Sequence, residues 1–492
     1  MRSRSRAAGL GLAPALGLAA ALAGCAAVGP NFKSPEPPKV AGYAMPGDMA
    51  PAGAELSPER RAAGPWWHDF HSTRLDTVMD QALAGNQSVA VAIANLDKAR
   101  EEVAAARGGL APRVDANAGA ERERINLESF GISSFPGFTN VQNPTLNLFT
   151  VGATASYDFD LFGGLRRQVE TAAAAEEGEA HRADAAFLTV TGNVAMAAVR
   201  IAAIRAQIDA VNEIIADDRR NLQIVEKAAA AGGEARSAAT GPRAQIAADQ
   251  ALLPPLAQEL SQSRHNLALL VGRAPASWTA PDFTVADFVP PAEIPVTVPS
   301  TLVRNRPDIL AAEADLHADT ARIGVATAAL YPDIKLQAGW TQSAISPDKL
   351  FNYGASGWNI GPTLTLPIFN GGQLRAKKRV AEAQSRASLA QYQQTVLTAF
   401  TQVADVLTAL AHDDDRLTAV GAAQAAAENA LSDARTAYSL GGGPLAAVVD
   451  AQRQLDRARL DTAEARSQKL LDIISLYAAT ATDWREGTAK AG

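Results

Sequence analysis

The chain has 492 residues, 47% of them hydrophobic but only 5% aromatic, and this alanine-rich composition favours long, thin helical packing over large cores. Its single cysteine excludes an intrachain disulfide framework, and its six histidines show no zinc-type spacing, so no metal site is predicted. The formal net charge of -7 argues against nucleic acid as a partner. No nucleophile motif or phosphate-binding loop is present, and no enzymatic activity is predicted.

The first 24 residues have the pattern of a lipoprotein signal peptide. Arg2, Arg4 and Arg6 form a basic segment, and an apolar stretch continues to Ala23. Small residues precede Cys25, as they do where a lipoprotein peptidase cuts after diacylglycerol attachment. Cys25 is therefore expected to become the mature N-terminus with S-diacylglycerol and N-palmitoyl groups as its covalent lipid, and no other cofactor is expected. A buried free thiol and an uncut signal anchor are the alternatives.

Residues 25–72 are expected to form a lipidated tether. The Pro- and Gly-rich stretch from Pro30 to Pro65 favours an extended chain. Ala26 follows the cysteine, where an aspartate would resemble an inner-membrane retention signal. The expected location is therefore the bacterial outer membrane, with the rest of the chain extending into the periplasm.

The remainder of the chain repeats one pattern of helix, proline break and strand. The tripeptide at 110–112 corresponds to that at 330–332, and the segment Asp160–Gly164 corresponds to Pro367–Gly372. The predicted domains are a first repeat at 73–271, an equatorial connector at 272–300, a second repeat at 301–482 and a C-terminal tail at 483–492.

Each repeat contains two segments in which apolar and polar residues alternate, the pattern of strands with one apolar and one polar face. Each segment approaches the roughly 9–11 residues that a tilted strand needs to cross a bilayer. A soluble sandwich with one buried and one solvated face is the alternative. The apolar positions are Val114, Ala116, Ala118 and Ala120; Val151, Ala153, Ala155, Tyr157, Phe159 and Leu161; Ile334, Leu336, Ala338 and Trp340; and Trp358, Ile360, Leu364, Leu366 and Ile368.

Long heptad patterns predict coiled-coil helices between the strands. Few glycines or prolines interrupt the stretch from about Arg166 to Ala231, which as one helix would reach roughly 100 Å. A purely structural coiled coil is the alternative, but it leaves the strands unexplained. The seam positions are Val190, Val194, Ala197, Ile201, Ile204, Ile208, Val211 and Ile215 in the first repeat, and Val396, Phe400, Val403, Leu407 and Leu410 in the second.

Four strands are too few to close a barrel around a pore. Open sheet edges leave backbone groups unpaired in hydrocarbon, so a membrane-spanning sheet has to close on itself. The smallest single-chain barrels have about eight strands and a filled interior. Several chains must therefore share one barrel, although this argument leaves their number open.

Five short motifs after Gly24 are the most specific features of the sequence. They are Val28-Gly29-Pro30-Asn31-Phe32, Trp66-Trp67, Leu253-Pro254-Pro255-Leu256, Arg306-Pro307-Asp308 at the start of the second repeat, and Val449-Asp450-Ala451-Gln452-Arg453. With these motifs the chain resembles the TolC-like outer membrane factors, specifically the NodT-type efflux lipoproteins, over nearly its whole mature length.

The resemblance implies a mainly helical fold with β-strands, the trimeric channel-tunnel. Each chain of the homotrimer would contribute four strands to a shared 12-stranded outer-membrane barrel, continued by long coiled-coil periplasmic helices. The implied partners are a periplasmic adaptor protein, an inner-membrane pump of RND or MFS type, and outer-membrane lipid.

The function implied by the resemblance is the exit duct of a tripartite efflux pump, which conducts drugs or other small molecules passively to the exterior. The outer-membrane component of type I protein secretion is the alternative, and the lipoprotein motifs are unusual for it. A purely structural coiled-coil lipoprotein is a third class.

The resemblance also implies a gate at the periplasmic tip. Asp450 is the best match to the constricting aspartate of the family, and Arg453 and Tyr438 lie where members carry tip residues. Three copies of Asp450 would form an anionic ring. The alternative is a solvated i, i+3 pair of Asp450 with Arg453. Gly443 and Ala447 replace an arginine and a second aspartate of better-known members, so fewer ionic contacts are expected.

The run His412-Asp413-Asp414-Asp415 is the densest group of ionisable residues within a predicted helix. A charge run in a helix is usually a solvated face, and we predict that here rather than a metal site.

Overall fold

The computed structural model describes residues 27–40, 42–47, 56–57, 65–126, 143–233, 235–291, 294–295 and 299–480. The predicted signal peptide, Cys25 and the predicted C-terminal tail lie outside the described residues. The lipidation of Cys25 and the domain limits stay predictions.

The described residues are mainly helical. A 3-10 turn at Trp66–Phe70 precedes the first helices. The helices are α1 (Thr73–Gly85), α2 (Gln87–Gly108), α3 (Gly164–Ala230), α4 (Thr240–Gln250), α5 (Leu253–Leu270), α6 (Pro299–Asn305), α7 (Pro307–Ala328), α8 (Gln373–Ser439) and α9 (Leu445–Thr480). The two longest helices, α3 and α8, have 67 residues each and occupy corresponding places in the two repeats. This confirms the prediction of long helices.

The strands of the described residues form two sheets. They are β1 (Leu56–Ser57), β2 (Arg113–Arg124), β3 (Thr145–Asp158), β4 (Ile294–Pro295), β5 (Asp333–Ala344) and β6 (Ser356–Thr365). The short strands β1 and β4 pair in parallel, whereas the four long strands form an antiparallel sheet in the order β2-β3-β5-β6. The prediction of a mainly helical chain with four long strands is confirmed.

Two predicted strand ends were wrong, each for a local backbone reason. The alternation predicted that the second strand reaches Leu161, but β3 ends at Asp158. Asp160 has a φ of 45° and its carboxylate accepts the backbone N–H of Leu165 at 2.8 Å, which starts α3 instead. The fourth strand was predicted to reach Ile368, but β6 ends at Thr365, two residues before Pro367, which has no N–H for a strand ladder.

The chain divides into two compact units. Of the described residues, those at 27–34, 97–126, 143–177 and 313–390 form the first unit, which contains the four-stranded sheet, and the others form the second unit.

The second unit has an apolar core built around the heptad seams. Val194, Ile201 and Val403 are fully buried, as the four-three spacing predicted. Trp66 stacks on Tyr477 with ring centroids 5.3 Å apart, and the Tyr477 hydroxyl donates to Asp69 Oδ2 at 2.7 Å. The tryptophan motif is therefore part of this core.

Within the described residues, α3 contains a stretch with a mean hydropathy of 1.6 that is long enough to cross a membrane by composition alone. Because 67% of that stretch is buried within the fold, it has the character of a core helix, and its composition is weak evidence for a transmembrane helix.

The charge run at 412–415 is only partly a solvated face, so that prediction was wrong for one residue. Asp413 is buried and faces Asp472 of α9, and Asp414 forms an ion pair with Lys469. Burial and the neighbouring Asp472 carboxylate raise the pKa of Asp413 to about 7. The run is amphipathic because successive helical residues point about 100° apart.

Candidate channel wall, N-terminal dock and periplasmic gate

The register of the four-stranded sheet places apolar residues opposite apolar residues. Ala153 of β3 lies between Ala116 of β2 and Trp340 of β5, and Trp340 in turn lies opposite Trp358 of β6. Because side chains of paired residues project from the same side of a sheet, the four alternating patterns combine into one apolar face.

The apolar face is exposed. Val114 is 70% exposed, Trp358 is 78% exposed and Ile360 is 64% exposed. An apolar patch spread across a sheet marks contact with lipid or with another protein chain. A lipid-facing apolar band with polar residues on the other side is the pattern of a transmembrane barrel strand.

The opposite face is mainly polar, with Leu146 and Leu148 of β3 as apolar exceptions opposite Glu123 and Glu121. Thr154 lies between Asp115 and Gly339, and Gly339 lies opposite Asn359. Near one end of the sheet, Lys335 forms ion pairs with both Asp158 and Asp333. Such a face is suited to a water-filled lumen.

The sheet has two open edges among the described residues. Strand β2 pairs only with β3, and strand β6 pairs only with β5. The outer edges of β2 and β6 therefore present backbone N–H and C=O groups that can pair with a strand of another chain.

Arg167, in the first turn of α3, binds the segment that follows the cysteine. Its guanidinium donates to the carbonyl of Val28 at 3.2 Å, to Asn31 Oδ1 at 2.7 Å and to Glu170 Oε2 at 2.6 Å. The side chain is 4% exposed, so these acceptors replace water almost completely. The Val28 N–H also donates to the carbonyl of Phe162 at 3.0 Å.

Two further contacts complete this N-terminal dock, which we define as residues 27–32 together with their binding surface. Phe32 stacks on His317 at a centroid distance of 4.4 Å, and His317 Nε2 lies 3.2 Å from Glu170 Oε1. Gly29 has a φ of 95°, and a Cβ there would lie 2.5 Å from Gly324 Cα. The glycine of the Val28–Phe32 motif is required because any larger residue would collide with α7.

Arg306, of the Arg306-Pro307-Asp308 motif, joins three helices. It is buried, and its guanidinium donates to Asp308 Oδ1 at 2.8 Å, to the carbonyl of Ala479 at 3.0 Å and to Gln402 Oε1. Ala479 lies in the last turn of α9, where carbonyl groups lack helical partners and a cation is favourable. The motif therefore has a structural role at the start of α7.

The three gate candidates lie on both sides of the α8–α9 turn. Tyr438 is in the last turn of α8 and is 36% exposed. Asp450 and Arg453 lie on α9, with Asp450 Oδ1 and Arg453 Nη1 3.8 Å apart and side chains 68% and 42% exposed. The structure brings Asp450 and Arg453 together as a loose, solvated pair. Asp450 can therefore be a solvated helix residue in the single chain and also part of an anionic ring, because a ring forms only when further copies of the chain are present.

Sequence reasoning missed a buried carboxyl cluster close to Arg453. Asp218 of α3 is 5% exposed and faces Asp249 of α4. Burial, then the Asp249 carboxyl and Asp456, raise the pKa of Asp218 to about 7, and Arg453 opposes this shift. Burial also raises the pKa of Asp456.

Gln452 connects this cluster to the neighbouring helices. It is 1% exposed, its Nε2 donates to Asp456 Oδ1 at 2.8 Å and to Asp217 Oδ2 at 3.0 Å, and its Oε1 accepts from Arg435 at 2.9 Å. A signal for the cluster was present in the sequence, because Asp218 continues the seam three residues after Ile215. Within the described residues, no group of three or more acidic, His or Cys side chains is arranged to hold a metal ion.

Comparison with known proteins gives one consistent result. The family model of the outer membrane efflux proteins matches residues 78–273 and 298–482. The toluene efflux pump outer membrane protein TtgC of Pseudomonas putida is 29% identical over 487 residues, which cover 96% of this chain and 95% of TtgC. The cation efflux system protein CusC of Escherichia coli is 26% identical over 476 residues, covering 95% of this chain and 98% of CusC. The solved structure of the outer-membrane channel OprN superposes with a TM-score of 0.84 at 26% identity, covering 93% of this chain and 99% of OprN.

Proposed function

Because the chain belongs to the outer membrane efflux protein family, we propose that three copies of it form one 12-stranded barrel, the passive exit duct of a tripartite efflux pump. The observation that carries this proposal is the continuous exposed apolar face across β2, β3, β5 and β6, bordered by two unpaired edges. In a bilayer the apolar face contacts hydrocarbon instead of water. The backbone groups at the two edges form hydrogen bonds with strands of neighbouring copies.

The polar face of the sheet is the proposed wall of the pore. Its Asp, Asn, Thr and Lys side chains contact water, and no group of catalytic type is needed for passive conduction. The long helices α3 and α8 continue the duct into the periplasm, where a periplasmic adaptor protein and an inner-membrane pump of RND or MFS type dock. The cargo is small molecules, in line with the toluene and cations for which two relatives are named.

Cys25 is the proposed lipid anchor. The N-terminal dock supports this proposal, because it holds Ala27 and Val28 against Phe162 and Gly163, just after the end of β3. Lipid attached two residues before Ala27 is then close to the end of the strands, where a barrel meets the membrane surface. The acyl chains would then enter the leaflet that faces the periplasm, one of the two leaflets that the barrel crosses.

Asp450 is the proposed constriction of the gate. In a three-fold assembly its exposed carboxylates form an anionic ring, and Arg453 reduces their repulsion at 3.8 Å. Gly443 and Ala447 supply no further ionic contacts at the turn, so a small free energy opens this gate.

The test is to purify the mature lipoprotein from outer membranes and to measure its conductance in planar bilayers and its assembly state on gels without boiling. We expect a trimer that resists SDS at room temperature and stepwise, cation-preferring conductance. Deletion of the gene should increase the sensitivity of the bacterium to toxic small molecules. A soluble monomer without conductance contradicts the proposal, and a deletion strain that blocks release of a protein at unchanged drug sensitivity favours type I secretion.

A further inference from the structure

The segment between β6 and the first turns of α8, residues 366–380, combines exposed apolar and exposed cationic side chains. We name it the second junction. Leu366 is 52% exposed, and Ile368 and Phe369 are each 91% exposed. Leu366 and Ile368 follow the last paired residue of β6, Thr365, and like Ile360 and Leu364 of β6 they are exposed.

Cationic residues follow this apolar segment from Arg375 onwards. Arg375 and Arg379 are exposed, and within the described residues neither has an ion pair or a hydrogen-bonding partner, whereas Lys378 pairs with Glu382 at 3.6 Å. Arg375 and Arg379 are four residues apart on a helix, a spacing at which like charges repel. The first turn of α8 contains no acidic residue. Two neighbouring cations near a helix start are unfavourable unless an anion is supplied from outside.

The equivalent segment of the first repeat shows what the second junction lacks. There, Arg166 pairs with Asp160 at 3.1 Å, and Arg167 binds Glu170 and the carbonyl groups of the N-terminal dock. Pro367 occupies the position of Asp160 in the second repeat. Arg166 and Arg167 of the first junction are therefore neutralised within the chain, whereas Arg375 and Arg379 of the second junction have no ionic partner among the described residues.

We propose that the second junction binds anionic phospholipid of the leaflet at the periplasmic end of the barrel. Arg375 and Arg379 contact the headgroup phosphates, and Leu366 and Ile368 contact the upper acyl chains. This inference depends on the proposed outer-membrane channel, because only a bilayer-embedded sheet brings its apolar face level with lipid.

Two observations favour lipid over an acidic protein segment. The exposed apolar residues directly follow strand β6, whose apolar face contacts the bilayer in the proposed channel, and the cations begin seven residues after Ile368, at the same end of the strand. Apolar residues bordered by Arg or Lys at headgroup level are the usual arrangement at a membrane surface.

The experiment compares the full-length lipidated trimer with two double variants, R375Q/R379Q and the control R219Q/R457Q. Arg219 of α3 and Arg457 of α9 are exposed, belong to the second unit and carry the same total charge. Each protein is placed in nanodiscs of phosphatidylcholine with a minor fraction of phosphatidylglycerol. The phosphatidylglycerol retained per trimer after extraction is then counted by native mass spectrometry.

We expect the wild type and R219Q/R457Q to enrich phosphatidylglycerol over phosphatidylcholine, and R375Q/R379Q to lose this enrichment by on the order of tenfold. R375K/R379K, which retains the charge, should restore most of it, and high salt should weaken it in the wild type. Equal enrichment in both double variants overturns the proposal. So does loss of the trimer in R375Q/R379Q with normal lipid enrichment in the remaining trimers, because the cations then face a neighbouring subunit.

Conductance is measured in pure phosphatidylcholine bilayers as a separate readout. A conducting wild-type trimer without phosphatidylglycerol preference overturns only the lipid site, whereas absence of conductance and of trimers contradicts the proposed channel itself.

Discussion

Trp340 and Trp358 lie directly opposite each other on β5 and β6, and both indole rings are exposed on the apolar face of the sheet. Exposed tryptophans at the border of an apolar band are typical of the level at which barrel strands leave the bilayer core. In the proposed barrel, the pairs between this level and the other end of the strands, such as Ala338 with Ile360, would lie in hydrocarbon.

A lysine at Ile360 should prevent insertion of the barrel. Ile360 lies on the apolar face and is 64% exposed, whereas the adjacent Asn359 lies on the polar face. A cation on the lipid face costs about 2–4 kcal/mol at the bilayer midplane. We expect I360K to reduce trimers in the outer membrane at least several-fold and N359K to assemble normally, as measured by membrane fractionation. Equal assembly of the two variants would mean that the apolar face does not contact lipid.

Arg167→Met should release the N-terminal dock. The substitution removes the donors to Val28 and Asn31 and leaves Glu170 without its 2.6 Å partner, and breaking a largely buried ion pair typically costs about 3–5 kcal/mol. We expect limited proteolysis to cut the tether rapidly and the trimer to dissociate at a lower temperature. The matched variant R166M loses a pair in which Arg166 is 42% exposed and should change little. Protease resistance unchanged in R167M would contradict this role.

The free energy of unfolding should fall as the pH rises from about 4 to about 7. The pKa of Asp218 is raised from 3.8 to about 7 in the folded chain, so the folded state holds this proton more tightly than the unfolded state. Stability from this group is present below pH 4 and is lost as the pH rises through about 7. D218N, which cannot ionise, should reduce this slope and stabilise the protein at pH 8.

The measurement for this third prediction is thermal unfolding, followed by circular dichroism between pH 4 and pH 8. D461N changes an exposed aspartate of α9 and is the control, which should keep the wild-type slope. D413N should act in the same direction as D218N, because the pKa of Asp413 is also raised to about 7. If the stability of D218N and of the wild type changed equally with pH, the pKa of Asp218 would not be raised in the folded chain.

Asp450→Asn should change ion selectivity without changing stability. The Asp450–Arg453 pair is exposed, and pairs of this kind contribute about 0–1 kcal/mol. In the proposed trimer the substitution removes three negative charges from the constriction, so the preference for cations in planar bilayers should fall. D433N, at an exposed position of α8, tests whether any loss of negative charge has the same effect. Unchanged selectivity in D450N would support the interpretation of Asp450 as a solvated helix residue.

Much of the fold was predictable because its signals are local. The alternation around Ala116 and Ala153 predicts strands, since consecutive side chains of a strand point to opposite faces. The spacing of Val194, Ile201 and Val403 predicts buried helix seams in the same way. Strand ends were less predictable, because the backbone of Asp160 and the missing N–H of Pro367 override a side-chain pattern that continues past them.

Site contacts between residues close in sequence were predictable, whereas contacts between distant residues were not. The Asp450–Arg453 pair follows from i, i+3 spacing on one helix. The partners of Arg306 and Arg167 could not be predicted, because Ala479 and Val28 are 173 and 139 residues away in sequence. No periodicity relates positions so far apart.

The sequence by itself determined the elements: which segments are strands or helices, which of their faces are apolar, and that four strands per chain are too few to close a membrane barrel. Tertiary structure alone decided which residues meet, including Ala153 between Ala116 and Trp340, and Asp218 beside Asp249. The physical reason is the distance along the sequence over which each effect acts. Periodicity and backbone chemistry act over a few residues, whereas register, burial and the pKa of a carboxyl group depend on neighbours that packing brings together.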